Sequence, residues 1–268
     1  MKLDVMSLTS HKVELAYFDL PGSGIDKPTL VMLHGLGASA QSTFGHVATF
    51  AELNEYRRLL IDLPGFGQST AAADWSATIE GYADVVASFL DQLGLSSVAL
   101  VGHSMGGSIA VALTTRRPDL VGRLIVAEPN LDANTGLFSG QIVRSSEEVF
   151  LSRSREAILR SIHIAAKPND ANTAVFAATV ASASPQILYR SAVSLRAERT
   201  PSFRQQLAAI TVPRLYISGE TSDEATASEL TSIGVAFAEI RGAGHVMMAD
   251  DPDAFVRIVS VFLESSYS

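Results

Sequence analysis

One hexapeptide constrains this chain more than any other: Gly102-His103-Ser104-Met105-Gly106-Gly107. It is wedged between a strand-like apolar run, Ser97 to Val101, and a helix-like run, Ser108 to Thr115. A strand that becomes a helix in so few residues needs a turn too tight for ordinary side chains. Glycines at Gly102 and Gly106 remove the β-carbons that would clash there. The residue at the tip, Ser104, is thereby held in strained backbone beside the amide N–H groups of a helix N-terminus.

The rest of the chain alternates in the same sense. Leu3 to Leu8 and Lys12 to Asp19 read as an antiparallel pair around a Thr9-Ser10-His11 turn. Thr29 to Leu33, Arg58 to Ile61 and Leu124 to Ala127 are short, largely apolar runs, as strands buried on both faces require. Ile79, Tyr82, Val86, Phe89, Leu90 and Leu93 recur at intervals of three and four, which predicts a helix over 78–93, capped by Gly94. Strand and helix in alternation predict an α/β fold, a mostly parallel central sheet with helices on both faces.

The alternation stops near Glu128. From Asn130 to Phe203 the sequence reads helical, and strand-like runs return only at Pro213 to Ser218 and Val235 to Ile240. A last helix, Asp253 to Leu263, closes the chain. The expected architecture is a core of residues 1–129 and 204–268 with a helical lid, 130–203, inserted after the sixth strand. A lid there can cover the carboxyl ends of the strands, where open α/β sheets bind ligands.

Composition narrows the functional classes. Hydrophobic residues make up 47 % and charged residues 18 %, which supports a large core and excludes wholesale disorder. A net charge of −8 argues against a nucleic-acid partner. The sequence has no cysteine, so disulfides, a thiol nucleophile and a cysteine-based metal site are all excluded. Met1-Lys2-Leu3-Asp4-Val5 lacks the layout of a signal peptide, and no apolar run reaches the ~18 residues of a membrane span. The glycine-rich loops match no phosphate-binding pattern, and no His/Asp/Glu cluster has metal-ligand spacing. These features lead us to expect a cytoplasmic monomer or homodimer without cofactor or metal, acting on a small molecule.

Chemistry then has to come from side chains. G-x-S-x-G at a strand-to-helix joint is the nucleophile elbow, which makes Ser104 the candidate nucleophile. A serine hydroxyl needs a base. Of six histidines, His245 is the best placed, in Arg241-Gly242-Ala243-Gly244-His245, between the last strand and the last helix. His103 must point away from Ser104 at so tight a turn, and a structural role suits it. His34 opens a loop whose backbone counts for more than its ring. His11, His46 and His163 carry no motif and read as surface or packing residues.

The acid that would orient the base stays open between two residues. Glu128 directly follows a buried strand, where an unpaired carboxylate is costly. Asp223 lies further into a polar loop after a later strand. Glu128 is preferred, and Asp132 and Glu220 are weaker alternatives. Two backbone N–H groups are expected to form an oxyanion hole, one from Met105 and one from the His34-Gly35-Leu36-Gly37 loop at Leu36.

Four blocks together resemble the α/β-hydrolase family, in its branch of small lid-bearing serine hydrolases. They are Leu33-His34-Gly35-Leu36-Gly37, Asp62-Leu63-Pro64-Gly65-Phe66-Gly67-Gln68-Ser69, the hexapeptide around Ser104, and Gly242-Ala243-Gly244-His245. The resemblance implies Ser104 as nucleophile, His245 as general base, and Leu36 and Met105 as oxyanion donors. The family's usual acid is an aspartate three residues after the glycine ending the seventh strand. Here that offset falls on Ser222, one residue before Asp223. Some relatives carry the acid at the end of the sixth strand, the position of Glu128. A serine nucleophile also separates this chain from the similar dehalogenases and epoxide hydrolases, which use aspartate.

The leading functional expectation is a serine hydrolase of an ester or related acyl bond, working through an acyl-enzyme. Carbon–carbon bond hydrolases, lactonases and cofactor-free peroxidases share the same motifs, and so do ligand receptors of this fold. Val143, Phe150, Ile158, Phe176, Leu188 and Met247 suggest a largely apolar cavity, with ordinary packing as the competing explanation for each.

Overall fold

The computed structural model describes residues 1–165, 171–220 and 224–265. Among these described residues nine strands form one sheet: β1 (Lys2–Leu8), β2 (Val13–Leu20), β3 (Leu30–Leu33), β4 (Arg58–Ile61), β5 (Thr70–Ala71), β6 (Val98–His103), β7 (Val121–Ala127), β8 (Arg214–Gly219) and β9 (Ala236–Ile240). Their order is β1-β2-β4-β3-β6-β7-β8-β9, with β5 paired to β2. The pairs of β2 with β1, β4 and β5 are antiparallel, and all the others are parallel.

Side chains along the central strands alternate between two cores, as the period of two in a strand demands. Val31, Leu33, Leu59, Ile61, Leu100, Leu124 and Val126 face one core. Leu30, Met32, Leu60, Val101, Ile125 and Ile217 face the other. Both faces are apolar, which is why these strands read as continuous runs rather than alternating ones. The helices α2 (Ile79–Gln92) and α3 (Met105–Arg116) cover the first face. The second is covered by α1 (Ala40–Phe44) and, later in the chain, by helices at 247–250 and 252–264.

Between β7 and β8 the chain is helical: α4 (Leu137–Ile142), α5 (Glu147–Val149) running through a π turn into α6 (Arg155–Ala165), α7 (Ala171–Ser182), α8 (Pro185–Arg196) and α9 (Phe203–Ala209). The two-residue β5 makes β7 the seventh strand rather than the sixth. Helices α10 (Glu224–Ser232), α11 (Met247–Asp250) and α12 (Pro252–Glu264) complete the order.

α8 is fastened to the core. The Ser184 N–H donates to the Gly65 carbonyl at 2.9 Å, the Ile79 N–H to Ser194 Oγ at 3.0 Å, and Tyr82 Oη bonds Ser191 Oγ at 2.7 Å. Phe150 and Leu188 are fully buried in the first core, with Val143, Ile158 and Phe176 packed against it. Met247 does not belong with them. It is buried in the second core with Phe44 and Phe255, because α11 follows the His245 loop directly and plugs under the sheet.

β3 and β6 are neighbours in the sheet, yet the chain leaves β3 toward β4 on one side and continues from β6 toward β7 on the other. That reversal opens a crevice at their carboxyl ends. His34 and Ser104 are the residues that leave those two ends.

Candidate active site

Ser104 sits between β6 and α3 with φ 52° and ψ −119°, a left-handed conformation that a non-glycine residue adopts only when its surroundings force it. The force comes from close backbone packing. A β-carbon on Gly102 would collide with the main chain of Gly106, and one on Gly106 with the carbonyl of Leu33. Gly35 closes the other side: a β-carbon there would lie 3.2 Å from Ser104 Cβ and 3.1 Å from His103 Nδ1. The loop 34–37 therefore runs directly past the serine. Among the described residues no acceptor is bonded to the N–H of Leu36 or of Met105.

Glu128 leaves β7 with φ 42°, a second strained residue at a strand end. The twist aims its carboxylate at two donors. Oε1 accepts the Gly219 N–H at 2.9 Å, and Oε2 accepts from His245 Nδ1 at 2.6 Å. Burial pushes the Glu128 carboxyl up. The His245 bond, the Gly219 amide and the nearby imidazoles outweigh it, and the group ends below its ordinary value. It is ionised when it faces His245. With Nδ1 committed, His245 keeps Nε2 for other work. The two residues differ in exposure: the Glu128 side chain is 13 % accessible and that of His245 51 %, so the carboxylate is covered and the imidazole is half exposed.

His103 links serine and base. Its ring lies 4.8 Å from the His245 ring, and its Nε2 donates to the His245 carbonyl at 2.8 Å. Burial pushes its imidazole down to about 3, so it stays a neutral donor. Glu128, His245 and His103 are thus linked at the carboxyl ends of β7, β9 and β6, and Ser104 follows His103 directly in the chain. Asp223 and the imidazole of His163 lie outside the described residues. Asp132 pairs with Arg204 at 2.6 Å, and Glu220 accepts the Gly242 N–H at 2.9 Å, so both are engaged elsewhere. No group of His, Cys, Asp or Glu among the described residues is arranged to hold a metal ion.

A model of the alpha/beta hydrolase family matches residues 30–258. The chain belongs to this family. It is 38 % identical over 107 residues to a 2-hydroxy-6-oxononadienedioate/2-hydroxy-6-oxononatrienedioate hydrolase of Paraburkholderia phymatum. That match covers 39 % of this chain and only 37 % of the relative. It is 28 % identical over 252 residues to an sn-1-specific diacylglycerol lipase of Mus musculus, covering 88 % of this chain and 81 % of that one. Among solved structures, the enol-lactonase of Burkholderia xenovorans LB400 superposes with a TM-score of 0.80 over 98 % of this chain and 100 % of its own, at 21 % identity. At that identity the likeness is one of fold.

In this α/β hydrolase the ring of His34 does more than the sequence suggests. It is buried, donates from Nδ1 to the Gly35 carbonyl at 2.8 Å and accepts the Leu63 N–H on Nε2 at 3.0 Å. One neutral imidazole therefore ties the loop after β3 to the loop after β4, and burial holds its pKa below the ordinary value. Asp62 braces the same corner, accepting the Ala40 N–H at 2.8 Å and the Gln68 N–H at 2.9 Å. The His34–Leu63 and Asp62–Ala40 bonds have no local signature, because their partners lie 29 and 22 positions apart.

The helices beside the loop after β3 present apolar side chains. A β-carbon on Gly37 would lie 2.8 Å from Val180 Cγ2 and 3.2 Å from Phe138 Cε1. The Phe138 and Phe176 rings meet edge to face at 5.2 Å. Ile187 packs in the same way over Gly65. Among the described residues no helix is long and apolar enough to cross a membrane.

Proposed function

We propose that the chain is a serine hydrolase that cleaves an ester or related acyl bond of a small, largely apolar substrate through an acyl-enzyme. The observation that carries this reading is the 2.6 Å bond from His245 Nδ1 to Glu128, beside a serine held in left-handed backbone. Ser104 Oγ attacks the carbonyl carbon, and its proton passes to His245 Nε2. The N–H groups of Leu36 and Met105 receive the developing oxyanion. Collapse of the tetrahedral species expels the alcohol, which takes the proton from His245. Water, deprotonated by the same imidazole, then releases the acid and restores the serine. Glu128 holds the Nδ1–H tautomer and faces the imidazolium formed in each half. Residues 130–203 act as the lid, with Phe138, Phe176 and Val180 beside the oxyanion loop, where an uncharged group suits them better than a carboxylate.

A carbon–carbon bond hydrolase is the second reading, favoured by the 38 % identity to the oxononadienedioate hydrolase. One experiment separates the two: turnover of p-nitrophenyl esters of increasing acyl length and of a vinylogous 1,5-diketone, each beside Ser104→Ala. Ester turnover that vanishes in the variant supports the first reading, and faster cleavage of the diketone supports the second. No turnover of either above the variant refutes both and favours a ligand receptor.

A further inference from the structure

Two glycines precede His245, and glycine gives up more conformational freedom on ordering than any other residue. A base carried on Gly242-Ala243-Gly244 wanders unless the backbone around it is tied. Among the described residues, several hydrogen bonds tie the main chain of this loop. The Gly242 N–H donates to Glu220 Oε2 at 2.9 Å, and the Ala243 carbonyl accepts the Glu220 N–H at 2.9 Å. The Ala243 N–H donates to the Ile240 carbonyl at 3.2 Å, and the His245 carbonyl accepts from His103 at 2.8 Å. The residue directly before the base, Gly244, donates its N–H to Asp250 Oδ2 at 2.8 Å.

Among the described residues the Asp250 carboxylate has no other hydrogen-bond partner. Asp251, not Asp250, caps α12, accepting the Ala254 N–H at 2.9 Å. Asp250 ends α11, whose Met247 and Met248 are anchored in the second core, so its carboxylate reaches back from a fixed base. It closes a short ring, Gly244 to Asp250, that contains His245. We infer that Asp250 is a positioning residue for the general base: by holding the Gly244 amide it fixes the height of the His245 imidazole over Ser104. This inference rests on the serine-hydrolase reading above. Asp250 touches neither Ser104 nor Glu128 and acts only through the loop.

Positioning and charge make different demands. An asparagine keeps an acceptor oxygen for the Gly244 N–H and loses the charge, whereas an alanine loses both. Asp250→Ala is therefore expected to lower kcat on a p-nitrophenyl ester about tenfold, the range of one lost charge-assisted hydrogen bond, with KM within about twofold. Asp250→Asn is expected to stay within about threefold of the parent. A second readout needs no turnover: the downfield proton resonance of His245 Nδ1–H, expected to be sharp in the parent and in Asp250→Asn and broadened in Asp250→Ala. The inference is overturned by Asp250→Ala with parental kcat and resonance, by Asp250→Asn as impaired as Asp250→Ala, or by a rise in KM that accounts for the whole loss. A parent without any turnover refutes the proposed reaction alone. The resonance then still decides whether Asp250 orders the loop.

Discussion

Replacing Glu128 by glutamine tests the acid more severely than deleting it. Oε1 of Glu128 accepts the Gly219 N–H, so that position requires an oxygen. A glutamine satisfies it by placing its carbonyl there, which turns its NH2 toward His245 Nδ1, 2.6 Å away from the present Oε2. Nδ1 must then accept, and the ring proton moves to Nε2, the nitrogen that has to take the proton of Ser104. The isosteric variant locks the base in the wrong tautomer. Where this has been done to an acid–histidine–serine set, the loss in kcat is about 10⁴-fold, equivalent to about 5 kcal/mol of transition-state stabilisation. Alanine leaves the ring free to keep either tautomer, so Glu128→Ala is expected to retain more activity than Glu128→Gln. The assay is kcat on the best p-nitrophenyl ester for both variants, with Asp223→Asn as the comparison. Glu128→Gln equal to or better than Glu128→Ala refutes the tautomer argument. A larger loss in Asp223→Asn than in either refutes Glu128 as the acid.

Three further outcomes follow from the packing. His103 is neutral when folded, with its imidazole pushed down from 6.5 to about 3, whereas the unfolded chain takes up that proton near 6.5. This group therefore lowers stability as pH drops below that value, by about 2 kcal/mol of its own between pH 7 and pH 5, or about 4–8 °C in the unfolding midpoint. His103→Gln should make the dependence shallower in calorimetry, leaving the share of His34, and an unchanged slope refutes the buried neutral ring. Phe138→Ala should raise kcat/KM for an octanoyl ester over a butyryl ester by about tenfold, and an unchanged ratio removes Phe138 from the acyl site. Gly106→Ala should destabilise the fold by about 3 kcal/mol in a denaturant titration, because the Leu33 carbonyl cannot retreat from the new β-carbon without breaking the β3 ladder.

The sheet was legible because parallel strands buried on both faces leave uninterrupted apolar runs, and the glycine-bearing loops mark their carboxyl ends. The joint around Ser104 was legible because no bulkier sequence fits it, although the strand runs to His103 and the helix begins at Met105, earlier than the apolar pattern suggests. What escaped was short or nonlocal. β5 has two residues and α1 five, too few for any periodicity to show. The ring of His34 meets Leu63 across 29 positions of sequence, and nothing near His34 announces it. Asp250 was within reach of capping logic: once Asp251 is recognised as the cap of α12, its neighbour is left with a carboxylate to place. Glu220 was considered as an acid and is instead a brace of the His245 loop, because its carboxylate is spent on Gly242.

The helical segment starts and ends at the same spot. The Arg204 N–H donates to the Leu131 carbonyl at 3.1 Å, and the Arg204 guanidinium grips Asp132 at 2.6 Å. A stretch whose two ends are already clasped imposes almost no closure entropy on the sheet when its length changes, since that cost grows only slowly with the number of residues enclosed. On the proposed lid reading, the segment between Asp132 and Arg204 is an exchangeable cassette: substrate preference can be rewritten there by substitution, insertion or transplantation, while Ser104, Glu128 and His245 stay on loops that leave the sheet outside it.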